Sequence, residues 1–476
     1  MLKKNSRHKI EITGVTAKGF GVGHIDNFLL FVDGGLTGDV LEIHVLKTKP
    51  RYGYGKIINI LTPSPSRIES PCPVFMKCGG CQWQNCEYSA QLKYKKQIVI
   101  DALERIGGIT NPAVNDVIGM ENPQRYRNKA VFPVVPQTAM PLSDGSVTGV
   151  SPAEQQGLGG KDPIDDKTFA IGMYMARSHR IVEVSDCRIQ HIAHVSVLET
   201  VRKYMHQHNV TAYDETTHTG IMRHIMVRTS LFTNEIMVVL VINAKSLPNE
   251  MELIEKLIAI GVTTTVISNH QSKGNSVLGK HFRILNGSGF IRERIGETEY
   301  QISAPSFFQV NPVQTKILYD VAIEQAGLNG TQIVLDAHVG AGGVALYSAK
   351  KAKQVIGVDI VQSAINDAGI NATINGVNNA EFICGAAEDI VPDLLQTHQP
   401  DVIFLDPPRK GNEPALLEAI ISSEIKKIVY ISCDPATLAR DIKKLTEGGY
   451  KLITAQPVDM FPFTGKVETS VLLNRV

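Results

Sequence analysis

The stretch VYISCDPATLARD, residues 429–441, contains a change of period that decides how this chain folds. Ile428 to Ser432 is a continuous β-branched and aromatic run, the pattern of a strand covered on both faces. Asp434 and Pro435 then supply an N-cap and a first helical residue, so a helix is expected to start there. Cys433 is the junction. The partial positive charge of a helix N-terminus favours thiolate at this position, and thiolate is the nucleophilic form.

Working outward, the same strand-then-helix rhythm fills residues 311–476. Strands are expected at IVLDA (333–337), VIGVD (355–359), EFIC (381–384), VIFLD (402–406) and IVYIS (428–432), with KLITAQPVDM (451–460) and TSVLL (469–473) finishing the sheet. The fold class is therefore α/β, with a parallel, doubly wound Rossmann-like sheet. Ligands of such sheets bind beyond the carboxyl ends of the strands, so residues there carry the chemistry. Asp336 leads into DAHVGAGG, whose glycines permit a tight turn and close approach of backbone to a ligand. Asp359 ends the next strand, where a carboxylate can accept two hydrogen bonds from a ribose diol. Asp406 ends the fourth strand in LDPPRKG, stiffened by two prolines, and Glu468 precedes the apolar run of the last. No GKS/T string is present, which disfavours a nucleoside triphosphate.

Toward the N-terminus the pattern is different. HKIEITGVT, GFGVGHI, NFLLFV, VLEIHVLK and YGYGKIINIL are short strands joined by Gly-rich turns, the signature of a small closed barrel over residues 1–63. Four prolines between 63 and 73 end it. Residues 64–310 form a second unit, with a helix from about Ser89 to Ile106 and another near Ala193–Gln207. Between and after them AVFPVV, FAIGMYM, RIVEVS, HIMVRTSL, EIMVVLVI and TTVISN are expected as strands of a mainly antiparallel sheet, and residues 137–167 as a mobile surface loop. Cys72, Cys78 and Cys81 form C-x5-C-x2-C, and Cys187 stands apart. Three near ligands and one distant ligand suit either a four-thiolate zinc site or an iron–sulfur cluster, and spacing does not choose between them. Cys86 is left out of this set and Cys384 is expected in the core.

Composition sets the outer bounds. The 476 residues are 43% hydrophobic and 20% charged, which excludes wholesale disorder. No apolar run approaches the roughly eighteen residues that span a bilayer, and IMVVLVI (236–242) is short enough to be a buried strand. The N-terminus has no signal-peptide apolar core, so a cytoplasmic location away from membranes is expected. An odd seven cysteines in such a chain point to metal ligation or thiol chemistry and away from a disulfide scaffold. The formal charge is only +1, but residues 1–105 carry fifteen Lys/Arg against nine Asp/Glu. A phosphate-tracking module joined to an enzyme would have this imbalance, as would a solvated face.

SFFQVNP (306–312), DxxxGxG (336–342), LDPPRKG (405–411), VYISCDPATLARD (429–441) and FPxTxxVET (461–469) occur in this order. Together they resemble the uracil-5 RNA methyltransferases, class I enzymes that use S-adenosyl-L-methionine, and the resemblance runs over almost the whole chain. The N-terminal barrel resembles the TRAM module of the ribosomal RNA branch, an OB-like RNA-binding fold. The resemblance implies methylation of C5 of an unstacked uridine in 23S rRNA by a monomer, with no DNA partner. It makes Cys433 the nucleophile and Glu468 the base, and it places Gln309, His338, Asp359 and Asp406 on the cofactor, Gln309 and Asp406 also against the uracil. It implies a [4Fe–4S] cluster on Cys72, Cys78, Cys81 and Cys187. Three positions depart from the family pattern: AHVG replaces an aromatic residue and a cysteine before the glycine, Asp359 replaces Glu, and Lys466 stands where His is frequent. The alternatives are tRNA uridine-5 methylation, or amino-group methylation with DPP holding the acceptor. The latter leaves Cys433 without a role.

Overall fold

The computed structural model describes residues 2–137, 169–176, 178–274 and 276–476. The loop expected at 137–167 therefore lies, except for Gln137, outside the described residues. Strands β1 (Arg7–Val15), β2 (Phe20–Ile25), β3 (Phe28–Asp33), β4 (Val40–Thr48) and β5 (Tyr52–Thr62) close into a barrel in the order β1-β2-β3-β5-β4. Period-two alternation puts Ile10, Ile12, Leu30, Val32, Leu41 and Ile43 inside. Closure needs glycine at Gly23, where a Cβ would stand 2.3 Å from the Glu11 carbonyl oxygen. The buried Asp39 carboxylate accepts the Leu36 and Ser64 N–H groups and pairs with Arg67, which ties the barrel to the chain that follows.

The middle unit contains α1 (Tyr88–Arg105), β6 (Lys129–Pro136), β7 (Phe169–Tyr174), β8 (Ile181–Glu183) and α2 (Ala193–Gln207). It continues with β9 (Met222–Thr229), β10 (Ile236–Ile242), α3 (Glu250–Ala259), β11 (Thr264–Asn269) and β12 (His281–Asn286). These strands make one sheet, β12-β11-β10-β9-β6-β7-β8. It is antiparallel except at β10 and β11, where Met237 pairs with Thr264 in parallel register. The sheet is thus mainly antiparallel, as expected, and its one parallel pair arises because the 243–263 connection is long enough for α3 to make a crossover. A separate hairpin, β13 (Phe290–Ile295) and β14 (Thr298–Ser303), precedes the last unit.

That unit begins with α4 (Pro312–Ala326), β15 (Ile333–Asp336), α5 (Gly343–Ala349), β16 (Gln354–Asp359), α6 (Gln362–Ile374), β17 (Ala380–Cys384) and α7 (Ala387–Thr397). It ends with β18 (Val402–Leu405), α8 (Pro414–Ser422), β19 (Lys427–Ser432), α9 (Pro435–Glu447), β20 (Tyr450–Val458) and β21 (Glu468–Arg475). The strand order is β17-β16-β15-β18-β19-β21-β20, parallel over the first five. β20 and β21 run antiparallel, because the short 459–467 connection makes a hairpin and cannot make a crossover. Val334 and Leu335 on β15 belong to two different apolar clusters, one on each side of the sheet. α1 adds Val99, Ala102 and Leu103 to one cluster, and the middle sheet adds Met226, Met237 and Val239 to the other. The strand order reverses direction between β15 and β18, so their carboxyl ends flank a crevice. Among the described residues no helix is long and apolar enough to cross a membrane.

Candidate active site

Cys433 lies between β19 and α9 as expected, with Asp434 at the N-cap accepting the Ala436 and Thr437 N–H groups at 3.0 and 3.2 Å. The thiol does not gain from the helix. Burial, and then the carboxylates of Glu468 and Asp406, push it up to about 11. The expectation of a thiolate there is corrected: the Asp434 carboxylate itself occupies the N–H groups that would have stabilised one. Arg409 acts in the opposite sense and favours the thiolate.

Glu468 opens β21. Ser432 pairs with Thr469 across the β19–β21 ladder, so extending the register sets Glu468 opposite Cys433. Burial first, and Asp406 second, raise the Glu468 carboxyl to about 8, against the pull of Lys466 and Arg409. Its Oε2 is buried without a hydrogen-bond partner. A neutral acid at neutral pH, with one oxygen uncommitted, is set to exchange a proton with something placed beside it.

A cleft of about 470 Å³ opens at the switch point, bounded by Gln309, His338, Gly340, Asp336 and Asp406, with the aromatic rings of Tyr300, Phe308 and Tyr319. Asp406 does not cap a helix, since α8 starts later with Glu413 at its N-cap. Burial raises both Asp406 and Asp336 to about 7. His338 is held neutral, lowered to about 4 by burial, and its Nδ1 is a buried atom with no partner. Gln309 is placed by its own backbone, whose carbonyl accepts the Asn128 side-chain N–H at 3.0 Å. Asp359 is engaged locally: it accepts the Gly340 and Val361 N–H groups at 3.0 and 2.8 Å, tying its strand end to the glycine turn. Gly342, at φ 97°, needs glycine, and a Cβ on Gly343 would meet the Tyr319 hydroxyl at 2.6 Å.

Several residues here are given no role by the sequence. Asp336 was read only as a strand end, yet it lies in the crevice floor. Arg409 and Arg127 both act on Lys466, making a cationic rim beside Cys433. On the barrel, Phe20, Phe31, Tyr52 and Tyr54 form an edge-to-face cluster with centroids 5.6–6.4 Å apart.

Residues 230–476 match the tRNA (Uracil-5-)-methyltransferase family and residues 2–58 match the TRAM domain. The chain belongs to this methyltransferase family. It is 44% identical to an uncharacterized RNA methyltransferase of Clostridium tetani, over 99% of this chain and 97% of the relative. It is 41% identical to another from Halalkalibacterium halodurans, over 99% and 98%. Among solved structures it resembles the Pyrococcus abyssi tRNA (uracil-54, C5)-methyltransferase in complex with S-adenosyl-L-homocysteine. That likeness has a TM-score of 0.73 at 25% identity, covering 98% of this chain and 100% of that one.

The cysteines of this methyltransferase gather beside the barrel. All seven are free, and the Cys81 thiol feels those of Cys187, Cys78 and Cys72. Among the described residues, however, no group of three or more His, Cys, Asp or Glu side chains is arranged to hold a metal ion. The Cys72, Cys78, Cys81 and Cys187 thiols lie within electrostatic reach of one another, but the metal site expected on them is not shown by this arrangement. Cys86 is buried at the barrel junction, whereas Cys384, expected in the core, is exposed.

Proposed function

We propose that this enzyme methylates C5 of an unstacked uridine in 23S rRNA, with S-adenosyl-L-methionine as methyl donor and Cys433 as covalent catalyst. The observation that carries the proposal is the register that sets Cys433 against Glu468 at the sheet's carboxyl edge. For the donor, the orphan His338 Nδ1 and the glycine turn offer contacts in the cleft. Gln309, His338, Asp359 and Asp406 would hold the donor, and the P. abyssi relative carries the demethylated form of the same molecule.

C5 of uracil is a weak nucleophile. Cys433 first gives its thiol proton to solvent; attack of the thiolate on C6 then forms the Sγ–C6 bond and moves the ring π-electrons onto C5 and O4, which makes C5 nucleophilic. S-adenosyl-L-methionine, when bound, supplies the electrophilic methyl group that C5 takes. Glu468 then removes the C5 proton, the C–H electron pair re-forms the C5=C6 bond, and Cys433 leaves as thiolate. The target base must be out of its stack for the sulfur to reach its ring. One chain supplies nucleophile, base and crevice, consistent with a monomer acting on RNA in the cytoplasm.

The ribosomal substrate is supported by the barrel, assigned to residues 1–63, and its aromatic cluster, a surface on which unpaired bases stack. It is also supported by the cysteines in the 64–310 unit ahead of the 311–476 catalytic domain. Their four thiols are the ligand chemistry of a [4Fe–4S] cluster, and two of the sulfurs accept N–H groups from Gly80 and Gln84. Anaerobically purified protein should be brown and contain iron; colourless zinc-loaded protein would remove the cluster. A second reading, tRNA methylation, is favoured by the P. abyssi relative, which matches the whole chain. Mass-spectrometric mapping of 5-methyluridine in cells with and without the gene separates the two. Loss from 23S rRNA is expected, and loss from tRNA alone would establish the second reading.

A further inference from the structure

The loop between β20 and β21 ends at Glu468, and it is gripped from outside its own domain. Phe463 has φ 66°, a left-handed conformation that a bulky side chain rarely holds without support. Its carbonyl accepts the N–H groups of both Gln82 and Trp83, at 2.9 and 3.0 Å, and its own N–H donates to Gln91 Oε1 at 2.9 Å. Gln91 is fully buried, and its amide group donates to the Trp83 and Cys86 carbonyls at 3.1 and 2.8 Å. One side chain therefore joins the cysteine-bearing segment to the loop. Gln82 Oε1 accepts the Gly465 N–H at 3.3 Å, and the Phe463 ring packs against Cys81 and Cys187.

This grip has a chemical consequence. Glu468 Oε2 has no hydrogen-bond partner, so no side chain orients that oxygen and its aim depends on the backbone. The same loop carries Lys466, whose ammonium group lowers the Glu468 pKa. We propose that Gln82, Trp83 and Gln91 are positioning residues for proton abstraction: they hold Phe463 in its left-handed turn and thereby aim Glu468 at C5. The proposal rests on the roles given above to Cys433 and Glu468. It separates the steps, because a loosened loop leaves thiol addition and donor binding intact and slows only release of the adduct.

The test uses the full chain, a uridine-containing substrate transcript and methyl donor. Gln91→Met is expected to lower turnover at least tenfold while the covalent protein–RNA species on a denaturing gel rises severalfold. Affinity for S-adenosyl-L-homocysteine, measured by calorimetry, should stay within twofold. A merely structural role would lower adduct and turnover together. Gln82→Ala, which removes only the side-chain bonds to Gly465 and Gly79, should give the same signature at smaller size, and it decides the matter if Gln91→Met does not fold. Wild-type turnover in both variants, or slowed turnover without adduct, would overturn the proposal. A 5-fluorouridine transcript on the wild-type enzyme separates the two levels. If it is never trapped, covalent catalysis itself fails; if it is trapped and neither variant accumulates adduct, only the positioning role fails.

Discussion

Ser432 and Thr469 stand directly opposite each other in the β19–β21 ladder, and the next residues along are Cys433 and Glu468, the proposed nucleophile and base. An antiparallel hairpin appended to a parallel sheet is what makes this possible. A parallel strand at β21 would have ended, where this one begins, at the carboxyl edge. The reversal brings the first residue of the last strand to the crevice that the other strands reach with their final residues.

From that opposition follows a division of labour that two variants resolve. Cys433→Ser should bind RNA with unchanged affinity and form neither adduct nor product. Glu468→Gln should form the adduct and fail to release it, with turnover reduced about 10²- to 10⁴-fold, the usual contribution of a general base. Denaturing gels and methyl-transfer assays on the two proteins read both outcomes. An adduct-free Glu468→Gln protein with normal turnover would take the base assignment away.

The pH profile follows from the same pair. Cys433, at about 11, must lose a proton to attack, and Glu468, at about 8, must be ionised to take one. Both requirements make the rate rise with pH across 6.5–8.5. Arg409 lowers both groups. Arg409→Gln should therefore shift the rising limb to higher pH, reducing the rate most at pH 7 and least at pH 9. An unshifted profile would show that Arg409 sets the titration of neither group.

Much of the site was legible because its residues mark changes of period. Asp336, Asp359, Asp406 and Cys433 each sit where an apolar strand stops, and Asp434-Pro435 announces a helix start that the fold uses. What was not legible depends on partners far away in the chain. The thiolate expectation at Cys433 failed because the fold buries the thiol and brings Glu468 and Asp406 beside it from other strands. The parallel pairing of β10 and β11 depended on whether residues 243–263 turn back or cross over, which alternation within the strands does not specify. Gln91 has no motif to mark it, since its contact with Phe463 spans 372 residues of sequence.

Stability carries a signature of the buried carboxyl. The Glu468 pKa is about 8 in the fold and near 4.3 in an unfolded chain. Its raised value contributes stability that is fully present below the unfolded value and is lost as pH rises through about 8. Glu468→Gln should therefore melt with the wild type at pH 4 and above it at pH 9, where the wild type must bury a charge. The thermal midpoint should rise by about 2–4 °C for each kcal/mol relieved. Equal midpoints at pH 9 would mean that the folded protein relaxes to solvate the carboxylate.

The other anchor of the base loop is an ion pair with no access to water. Lys95 of α1 donates to Asp459 at 2.5 Å, and both side chains are fully buried. Burial lowers the lysine pKa despite this partner, so the charge is held only by its contacts. Asp459 also accepts the Tyr88 hydroxyl at 2.8 Å and the Phe461 N–H at 3.1 Å, while Lys95 donates to the Phe461 carbonyl at 3.0 Å. Removing one charge leaves the other without compensation in a dry site. Lys95→Met and Asp459→Asn should each destabilise by about 3–5 kcal/mol. The double variant should be more stable than the sum of the two losses predicts, because neither charge is then stranded. Denaturant titration of the four proteins completes the cycle. Strict additivity would show that the Lys95–Asp459 pair contributes no coupling energy.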